Sequence, residues 1–369
     1  MNLDCFSKGN RVKAASFAAT AFLFIGVGSA RAATDIPVES FSGDVTVSEN
    51  WVAGGTGAGA CLTASKKTDA TPVPGCSRPA EDELGSGVLR LTNAEWDQSG
   101  YMLYNSPIPS ADGLDALFYA SQWGGSGADG IAFFFTKGSA DLTQPGGNGG
   151  SLGYAAKYAG SSDQQPGVDR GLLGIGFDVY GAFGEDTSDG TDCADSAPGG
   201  FSNSVAIRGP GNGYSGYCFI DIVDLTPLGV VLHGDTREAG AHLFRIRVDG
   251  SDVTDRMVTV YIDGVEVISV PLPQEFIDTE YVKFGWTAGT GADTDYHEVW
   301  GATVVTATQP EDFEYEAPTL QDDKEALAPT TTVEVLANTG TSTDSLQLIA
   351  AGLVFAGAIC LIQLRRRPL

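Results

Sequence analysis

Short runs of β-branched and aromatic residues recur through the middle of this chain, each bounded by glycine or other turn-forming residues. The clearest pair is residues 257–262 and 265–270, which only Asp263-Gly264 separates. An Asp-Gly dipeptide between two alternating segments is typical of a two-residue β-hairpin turn. No long stretch of this region has the i, i+3, i+4, i+7 apolar spacing of an amphipathic helix. The sequence therefore predicts an all-β domain with few, short helices.

Two further segments, residues 88–92 and 242–248, alternate apolar and polar side chains as half-buried strands do. The second of them ends at Asp249-Gly250, which is also a hairpin-type dipeptide. We place the β domain at residues 36–305, a length that is normal for a large β-sandwich. Residues 306–335 are rich in Thr, Pro, Glu and Asp with little apolar periodicity, which predicts a disordered, extended linker.

The N-terminus has the order of features of a secretory signal peptide. Basic residues at positions 8, 11 and 13 precede an apolar run over residues 14–27, and Ala30-Arg31-Ala32 offers an A-x-A cleavage site. A buried N-terminal helix would explain neither the position of the charges nor the cleavage site. We therefore expect residues 1–32 to be a leader, and the rest of the chain to be exported.

Residues 336–369 resemble a sortase sorting signal of Gram-positive bacteria, in the variant with Ala after Leu. The pentapeptide LANTG precedes an apolar stretch over residues 346–364 and three arginines. Nineteen helical residues rising ~1.5 Å each could cross a hydrocarbon core as a transmembrane helix. The resemblance implies cleavage between Thr339 and Gly340 and attachment to peptidoglycan. The alternative is an uncut single-pass membrane anchor, which also leaves the domain outside the cell.

The charge balance of the predicted mature chain excludes one class of partner. The chain has 21 Lys and Arg against 47 Asp and Glu, and the leader and tail hold seven of the basic and two of the acidic residues. The remaining 14 basic and 45 acidic residues argue against nucleic acid, whose phosphates require cations. They are compatible with neutral sugars or divalent cations.

Four cysteines lie outside the leader and the apolar tail. An even number in an exported chain predicts disulfides, and their spacing is not that of a C-x-x-C zinc site. Of the three possible connectivities we favour the pairing of nearest neighbours, which closes short loops: Cys61 with Cys76, and Cys193 with Cys218.

Four segments, in this order, resemble the legume-type (L-type) lectin family in the form found in bacterial surface proteins. The resemblance spans most of residues 36–305 and implies a concanavalin-like jelly-roll sandwich of two large antiparallel sheets. The segments are 127–135 (GADGIAFFF), 146–153 (GGNGGSLG), 174–180 (GIGFDVY) and 282–297 (VKFGWTAGTGADTDYH).

The resemblance also implies which residues contact sugar. Asp129 would accept hydrogen bonds from sugar hydroxyls, and the backbone at Gly149 and Gly150 would donate to the same sugar. Thr290 and Gly291 lie in the loop that tunes sugar choice. The simpler alternatives are that Asp129 caps its own turn and that the glycines only form turns. Trp123 and Tyr154 are possible sugar platforms or buried core residues.

A metal site is only partly supported by the resemblance. Gly176 stands where the family has a Glu metal ligand, and Ala182 where it has an Asn that serves both calcium and sugar. The metal-binding His has no clear counterpart. Asp178, the Tyr180 carbonyl and Asp186 remain as oxygen ligands of the kind calcium takes. We expect at most one calcium ion and no full two-metal site.

The sequence thus predicts a non-catalytic, surface-anchored carbohydrate-binding lectin or adhesin. Its partners would be glycans on host cells, on neighbouring cells or in environmental polysaccharide. One alternative is a degenerate lectin-fold module with a structural or protein-binding role. Another is a glycan-cleaving enzyme, but the nearest carboxylate set does not place its acids on one strand face: Glu275, Asp278 and Glu280.

Overall fold

The computed structural model describes residues 36–306 apart from positions 58, 195 and 196. The predicted leader, nearly all of the predicted linker and the sorting signal with Thr339 and Gly340 lie outside the described residues. Their assignments stay predictions. In the part of the chain that is described, no helix is long and apolar enough to cross a membrane.

The described residues form two antiparallel β-sheets, as the resemblance implies, with one α-helical turn, α1 (Gln274–Ile277), and five short 3-10 turns. The strands are β1 (Trp51–Gly55), β2 (Cys61–Leu62), β3 (Leu89–Thr92), β4 (Ser99–Pro109), β5 (Leu114–Trp123), β6 (Gly130–Lys137), β7 (Gly171–Asp178), β8 (Ser204–Arg208), β9 (Gly211–Asn212), β10 (Ser215–Gly216), β11 (Phe219–Asp224), β12 (His233–Gly234), β13 (Ala241–Val248), β14 (Met257–Ile262), β15 (Val265–Pro271), β16 (Tyr281–Gly289) and β17 (Tyr296–Thr306). The 3-10 turns are Ser110–Asp112, Gly149–Ser151, Ala182–Gly184, Asp186–Ser188 and Thr226–Leu228.

The first sheet has the order β1-β4-β16-β6-β7-β8-β11, with β9 and β10 attached beside β7. The second has the order β15-β14-β13-β5-β17-β3-β2, with β12 beside β5. Except for the parallel contact of β12 with β5, these strand pairs are antiparallel. The late strands β16 and β17 each insert between strands from the first half of the chain, so the core forms only after distant segments meet.

The main core lies between the two sheets and is built on aromatic rings. Phe118 of the second sheet stacks on Phe133 of the first, with ring centroids 5.6 Å apart, and meets the edge of Trp286 at 5.3 Å. All three side chains are fully buried. Such offset and edge contacts add to the free energy gained by burying large apolar surfaces.

A second core lies on the opposite face of the first sheet. On β6, Phe133 and Phe135 point into the main core, while Phe134 joins a separate cluster with Tyr154 and Phe183. Successive strand residues face opposite sides, so a run of three buried phenylalanines requires cover on both faces. The connection between β6 and β7 supplies part of that cover, and it also carries the glycine loop.

The Asp263-Gly264 hairpin between β14 and β15 is confirmed. Both turn residues have the positive φ of a type I′ turn, 51° and 81°. The tight turn predicted at Asp249-Gly250 is wrong, because β13 and β14 are joined by a longer loop over residues 249–256. That loop is fixed by Ser251, whose N–H donates to the Ala111 carbonyl at 2.8 Å.

Both predicted disulfides are confirmed. Cys61 bonds to Cys76 across 15 positions, and Cys193 bonds to Cys218 across 25. The first joins β2 to the loop that follows it, and the second joins the connection after β7 to the segment before β11. Glu275 lies in α1, where its carboxylate pairs with Lys137 at 2.6 Å.

The burial of both faces of the first sheet can be tested by truncating the side chains of neighbouring residues on β6. Phe133→Ala and Phe134→Ala should each lower the free energy of unfolding by ~3–5 kcal/mol, because each removes a fully buried ring. Tyr281→Ala on β16, with a side chain 45% exposed, is the control and should cost far less. Urea unfolding measures all three, and a small effect of Phe134→Ala would show that the outer face is open.

Candidate functional site

One end of the sandwich carries an open depression of about 430 Å³. It is lined by five connections, those between β3 and β4, β5 and β6, β6 and β7, β7 and β8, and β16 and β17. The structure therefore brings together parts of the chain that are up to nearly 200 positions apart. The lining residues are Asp97, Asp129, Gly149, Gly150, Ser151, Lys157, Tyr158, Tyr180, Ala182, Glu185, Thr187, Gly291, Ala292 and Asp293.

Asp129 is held at the floor of the depression by its backbone, directly before β6. Its N–H donates to the Gly289 carbonyl at 3.1 Å, and its own carbonyl accepts the N–H groups of Val179 and Tyr180. The peptide bond from Ala128 to Asp129 is cis. These contacts tie Asp129 to the ends of both neighbouring strands, β16 and β7, so its position is set by the sheet rather than by a free loop.

The Asp129 carboxyl is buried, with only 6% of the residue exposed. Its Oδ2 atom has no hydrogen-bond partner among the described residues. A Cβ atom added at Gly291 or Gly149 would lie 3.2 Å or 3.8 Å from that oxygen. The oxygen therefore lies between two glycine backbones, with hydrogen-bonding capacity left unused. Several buried side-chain atoms in the described structure have no hydrogen-bond partner, and Asp129 Oδ2 is the one among them whose residue lines the depression.

Burial raises the pKa of the Asp129 carboxyl to about 7, while the Lys157 ammonium acts in the opposite direction. The nearby Gly291 backbone also lowers this pKa, and the nearby carboxylates of Asp293 and Asp97 raise it. Desolvation dominates because little water reaches the group. A carboxyl whose pKa is strongly shifted in a cleft is a candidate functional group.

The glycine loop is fixed against the end of β16. Gly149 has a φ of 62°, a left-handed conformation that favours glycine, and its N–H donates to the Thr290 carbonyl at 3.0 Å. Gly150 packs against Ala182, and a side chain there would overlap the alanine methyl group. The structure thus places Asp129, Gly149, Gly150 and Gly291 around one depression, although their role in sugar binding stays a prediction.

Thr290 does not line the depression, contrary to its predicted role. It is fully buried, its Oγ1 donates to the Glu95 carbonyl at 2.6 Å, and it accepts the N–H of Gln98 at 2.9 Å. Both hydroxyl functions are used inside the protein. Thr290 therefore supports the loop between β3 and β4 and is not free to contact a ligand.

Lys157 is a site residue that the sequence analysis missed. Its Nζ donates to Asn148 Oδ1 at 2.5 Å and lies 5.2 Å from the centre of the Tyr158 ring. No recognisable motif surrounds this lysine, since it reaches the site only because the β6–β7 connection folds back on itself. It is the one basic residue among the lining residues that the structure describes.

Of the two alternatives for Tyr154, sugar platform or core residue, the structure shows the core residue. Tyr154 is fully buried in the second core, and its hydroxyl donates to the Gly209 carbonyl at 2.8 Å. Trp123 donates its indole N–H to Glu298 at 2.7 Å. Tyr158 and Tyr180 instead line the depression, with 45% and 54% of their surfaces exposed. An aromatic ring can contact a ligand only where it faces solvent. Strand periodicity does not reveal which rings face solvent in a loop.

Asp178 and Asp186, the side chains predicted to bind calcium, are engaged by backbone N–H groups in the described structure. Asp178 is fully buried, and its two carboxylate oxygens accept the N–H groups of Gly181 at 2.7 Å and Phe183 at 2.6 Å. Asp186 Oδ1 accepts the N–H of Ala197 at 2.5 Å. A Cβ atom at Gly176 would overlap the Phe183 ring, so apolar atoms fill that space. Within residues 36–306 as described, no group of three or more His, Cys, Asp or Glu could hold a metal ion.

A buried guanidinium holds together the loop in which we expected the metal. Arg208 on β8 is fully buried and donates to the carbonyls of Phe183 at 2.6 Å, Glu185 at 2.5 Å and Tyr217 at 2.8 Å. It also pairs with Asp189 Oδ1 at 2.5 Å. The planar fork of donors on arginine suits several acceptors at once. One side chain thus fixes the stretch that supplies Ala182 and Glu185 to the depression.

Neither a family model nor a curated protein matches this sequence. Solved structures with remote likeness to it include the metal-free form of lectin I-B4 from Griffonia simplicifolia, at 17% identity and a TM-score of 0.43, with 73% of this chain and 99% of that chain covered. Lectin II from Ulex europaeus is 19% identical with a TM-score of 0.43, over 74% and 99% of the two chains. The exoplasmic/lumenal domain of VIP36, in its Ca²⁺/Man3GlcNAc-bound form, is 15% identical with a TM-score of 0.40, over 73% and 89%.

The first prediction from the site concerns Arg208. Arg208→Met should lower the free energy of unfolding by ~3–5 kcal/mol, because it leaves the Asp189 carboxylate and several carbonyls without their buried donor. Arg78→Met removes an exposed ion pair with Asp69 and should cost less than ~1 kcal/mol.

EDTA should leave the thermal midpoint of the unmodified protein unchanged. A midpoint that falls on chelation and returns with calcium would contradict the role given to Arg208.

The second prediction concerns the proton on Asp129. Its folded pKa of about 7 lies above the unfolded value near 4, so the folded state binds the proton more tightly and stability falls as pH rises between these values. Asp129→Asn should therefore raise the free energy of unfolding at pH 8 by ~2–4 kcal/mol and change it little at pH 4. Urea unfolding at both pH values measures this. Asp255→Asn, in an exposed loop, should show no such difference, and equal stability of Asp129→Asn and the parent at pH 8 would refute the assignment.

Proposed function

We propose that the domain binds carbohydrate and that the depression around Asp129 is its binding site. The observation that carries the proposal is the Asp129 Oδ2 atom, a buried acceptor without a partner in the described structure, between the Gly149 and Gly291 backbones. Leaving such a group unpaired costs ~1–3 kcal/mol, so its retention is explained by a ligand that donates to it. A sugar hydroxyl is such a donor.

The lining chemistry suits a pyranose. Sugar hydroxyls donate and accept hydrogen bonds, so a carboxylate next to backbone groups can fix their orientation. The apolar C–H face of the ring can pack on an aromatic side chain, and Tyr158 and Tyr180 offer exposed rings at the rim. Lys157 adds a donor on the side of the glycine loop.

The charge of the depression favours neutral glycans. Four carboxylates and one ammonium line it, so a sialic acid or uronic acid would be repelled: Asp97, Asp129, Glu185 and Asp293 against Lys157. Like charges placed together are a common means of rejecting wrong ligands. The same excess of acid agrees with the strongly acidic composition of the chain.

Export and anchoring belong to the same proposal and are supported by the sequence of the two ends. A leader over residues 1–32 and the LANTG sorting signal would display the domain outside the cell as an adhesin. Its partners would be glycans on host or neighbouring cells or in environmental polysaccharide. Sortase and peptidoglycan would act only at Thr339 and Gly340. A retained membrane anchor gives the same exposure of the site.

A glycan-cleaving enzyme is the second candidate, because the raised pKa of Asp129 would suit a general acid. We favour binding without catalysis, since the Asp129 oxygen is confined between two glycine backbones. Reducing-sugar assays on the bound glycans distinguish the two activities. Release of product that Asp129→Asn abolishes would establish the enzyme instead.

A glycan array tests the proposal directly. The purified domain should bind a set of neutral glycans, and Asp129→Asn should weaken binding at least tenfold, because an amide replaces one acceptor by a donor. Asp255→Asn, at the other end of the sandwich, is the matched control and should bind as the parent does. If the parent binds no glycan, or if Asp129→Asn binds equally well, the proposal is wrong. Binding of a protein partner that ignores this substitution would favour a protein-binding module.

A further inference from the structure

Trp96 is the most exposed large apolar residue in the described part of the chain. Its side chain lies in the β3–β4 connection, and 76% of the residue is open to solvent. Three of the other four tryptophans are almost completely buried, at 0–4% exposure, and Trp123 is half-buried. Exposing an indole forfeits several kcal/mol of the free energy that its burial would provide, so this position calls for an explanation.

The connection that carries Trp96 is firmly fixed. Glu95 and Gln98, on either side, are tied to Thr290 by its hydroxyl, and the Gln98 carbonyl also accepts the Thr290 N–H at 2.9 Å. Asp97 donates its N–H to the Gly291 carbonyl at 3.1 Å. The Gln98 side chain closes the loop by bonding to Asn93 and Glu95. The indole is therefore held out to solvent by an ordered loop.

The same contacts place the loop that carries Trp96 beside the depression. Its neighbour Asp97 lines the depression, and the Asp97 carboxylate accepts a hydrogen bond from Asn148 at 3.4 Å. The loop is joined to Thr290 and Gly291 on one side and to the glycine loop on the other. A ligand that fills the depression and extends past Asp97 would reach the loop that carries Trp96.

We propose that Trp96 forms a second subsite, which takes the next sugar residue of a neutral oligosaccharide bound at Asp129. This inference rests on the proposed function. An exposed indole offers a wide, flat face to the C–H groups of a pyranose, and it does so without a charge that would select anionic sugars. Because the loop is already ordered, little conformational entropy is lost when the second sugar binds. The domain would then prefer chains of two or more residues over single sugars.

Comparison of single sugars with short chains tests the subsite. The probes are the methyl glycosides of mannose, galactose and N-acetylglucosamine, each paired with its trisaccharide: mannotriose, galactotriose and chitotriose. Titration calorimetry with the full domain should give at least fivefold tighter binding of one trisaccharide than of its methyl glycoside. Trp96→Ala should lose that gain, a fall of five- to tenfold, and keep the affinity for the methyl glycoside within twofold. Trp96→Phe should retain part of the gain. Leu84→Ala, which truncates another exposed apolar residue, is the matched control and should change neither affinity.

Tryptophan fluorescence gives an independent reading. Trp96 dominates the solvent-exposed tryptophan surface, so the trisaccharide should shift the emission to shorter wavelength and protect it from acrylamide, whereas the methyl glycoside should not. Both effects should vanish in Trp96→Ala.

The outcomes separate the two proposals. Loss of both ligands in Asp129→Asn, with selective loss of the trisaccharide in Trp96→Ala, supports both. Equal affinities for the two ligands, or an equal loss of both in Trp96→Ala, overturns the second subsite while leaving the binding site at Asp129. No binding of any probe or array glycan overturns both.

Discussion

The cover on the outer face of the first sheet is the constraint on which the site depends. Phe134 and Tyr154 bury that face, and the connection between β6 and β7 that covers it also carries Gly149 and Lys157. The loop is long, but buried residues within it, such as Leu152 and Tyr154, anchor it to the sheet. Removal of this second core would leave Asp129 at the end of β6 and would separate it from the groups that enclose it. The geometry of the depression thus depends on the hydrophobic packing of the second core.

The depression contains a buried carboxyl group that lowers the stability of the folded state. Asp129 is a buried carboxyl whose charge is opposed by desolvation, and only Lys157 and the Gly291 backbone moderate that effect. Asp178, close by, has its pKa raised to about 7 by the same cause, yet its oxygens are fully used by backbone N–H groups. The two acids illustrate different roles. Asp178 stabilises a loop, whereas Asp129 has one oxygen, Oδ2, without a hydrogen-bond partner in the described structure. Binding sites commonly retain such unfavourable groups at the expense of stability.

Much of the fold could be predicted from the sequence, because strand alternation and turn dipeptides are local signals. The hairpin at Asp263-Gly264 follows from backbone preference alone, and the two disulfides follow from loop closure. The long β13–β14 loop could not be predicted, since its shape comes from a tertiary contact with Ala111. The same holds for the site. Asp129 and the glycines lie in recognisable sequence motifs. Lys157, Tyr158 and Arg208 reach their positions through tertiary packing, which the spacing of residues in the sequence does not reveal.

Arg208 has a consequence for where such a domain can work. A bound ion leaves when its concentration in the surroundings falls, so a loop that relies on it loses order in dilute or phosphate-rich media. A guanidinium is attached to the chain by covalent bonds and keeps its charge across the whole range of habitable acidity. The stretch from Ala182 to Asp189 is therefore organised by a cation that cannot dissociate from the protein. The part of its order that Arg208 supplies does not depend on the concentration of any ion in the medium.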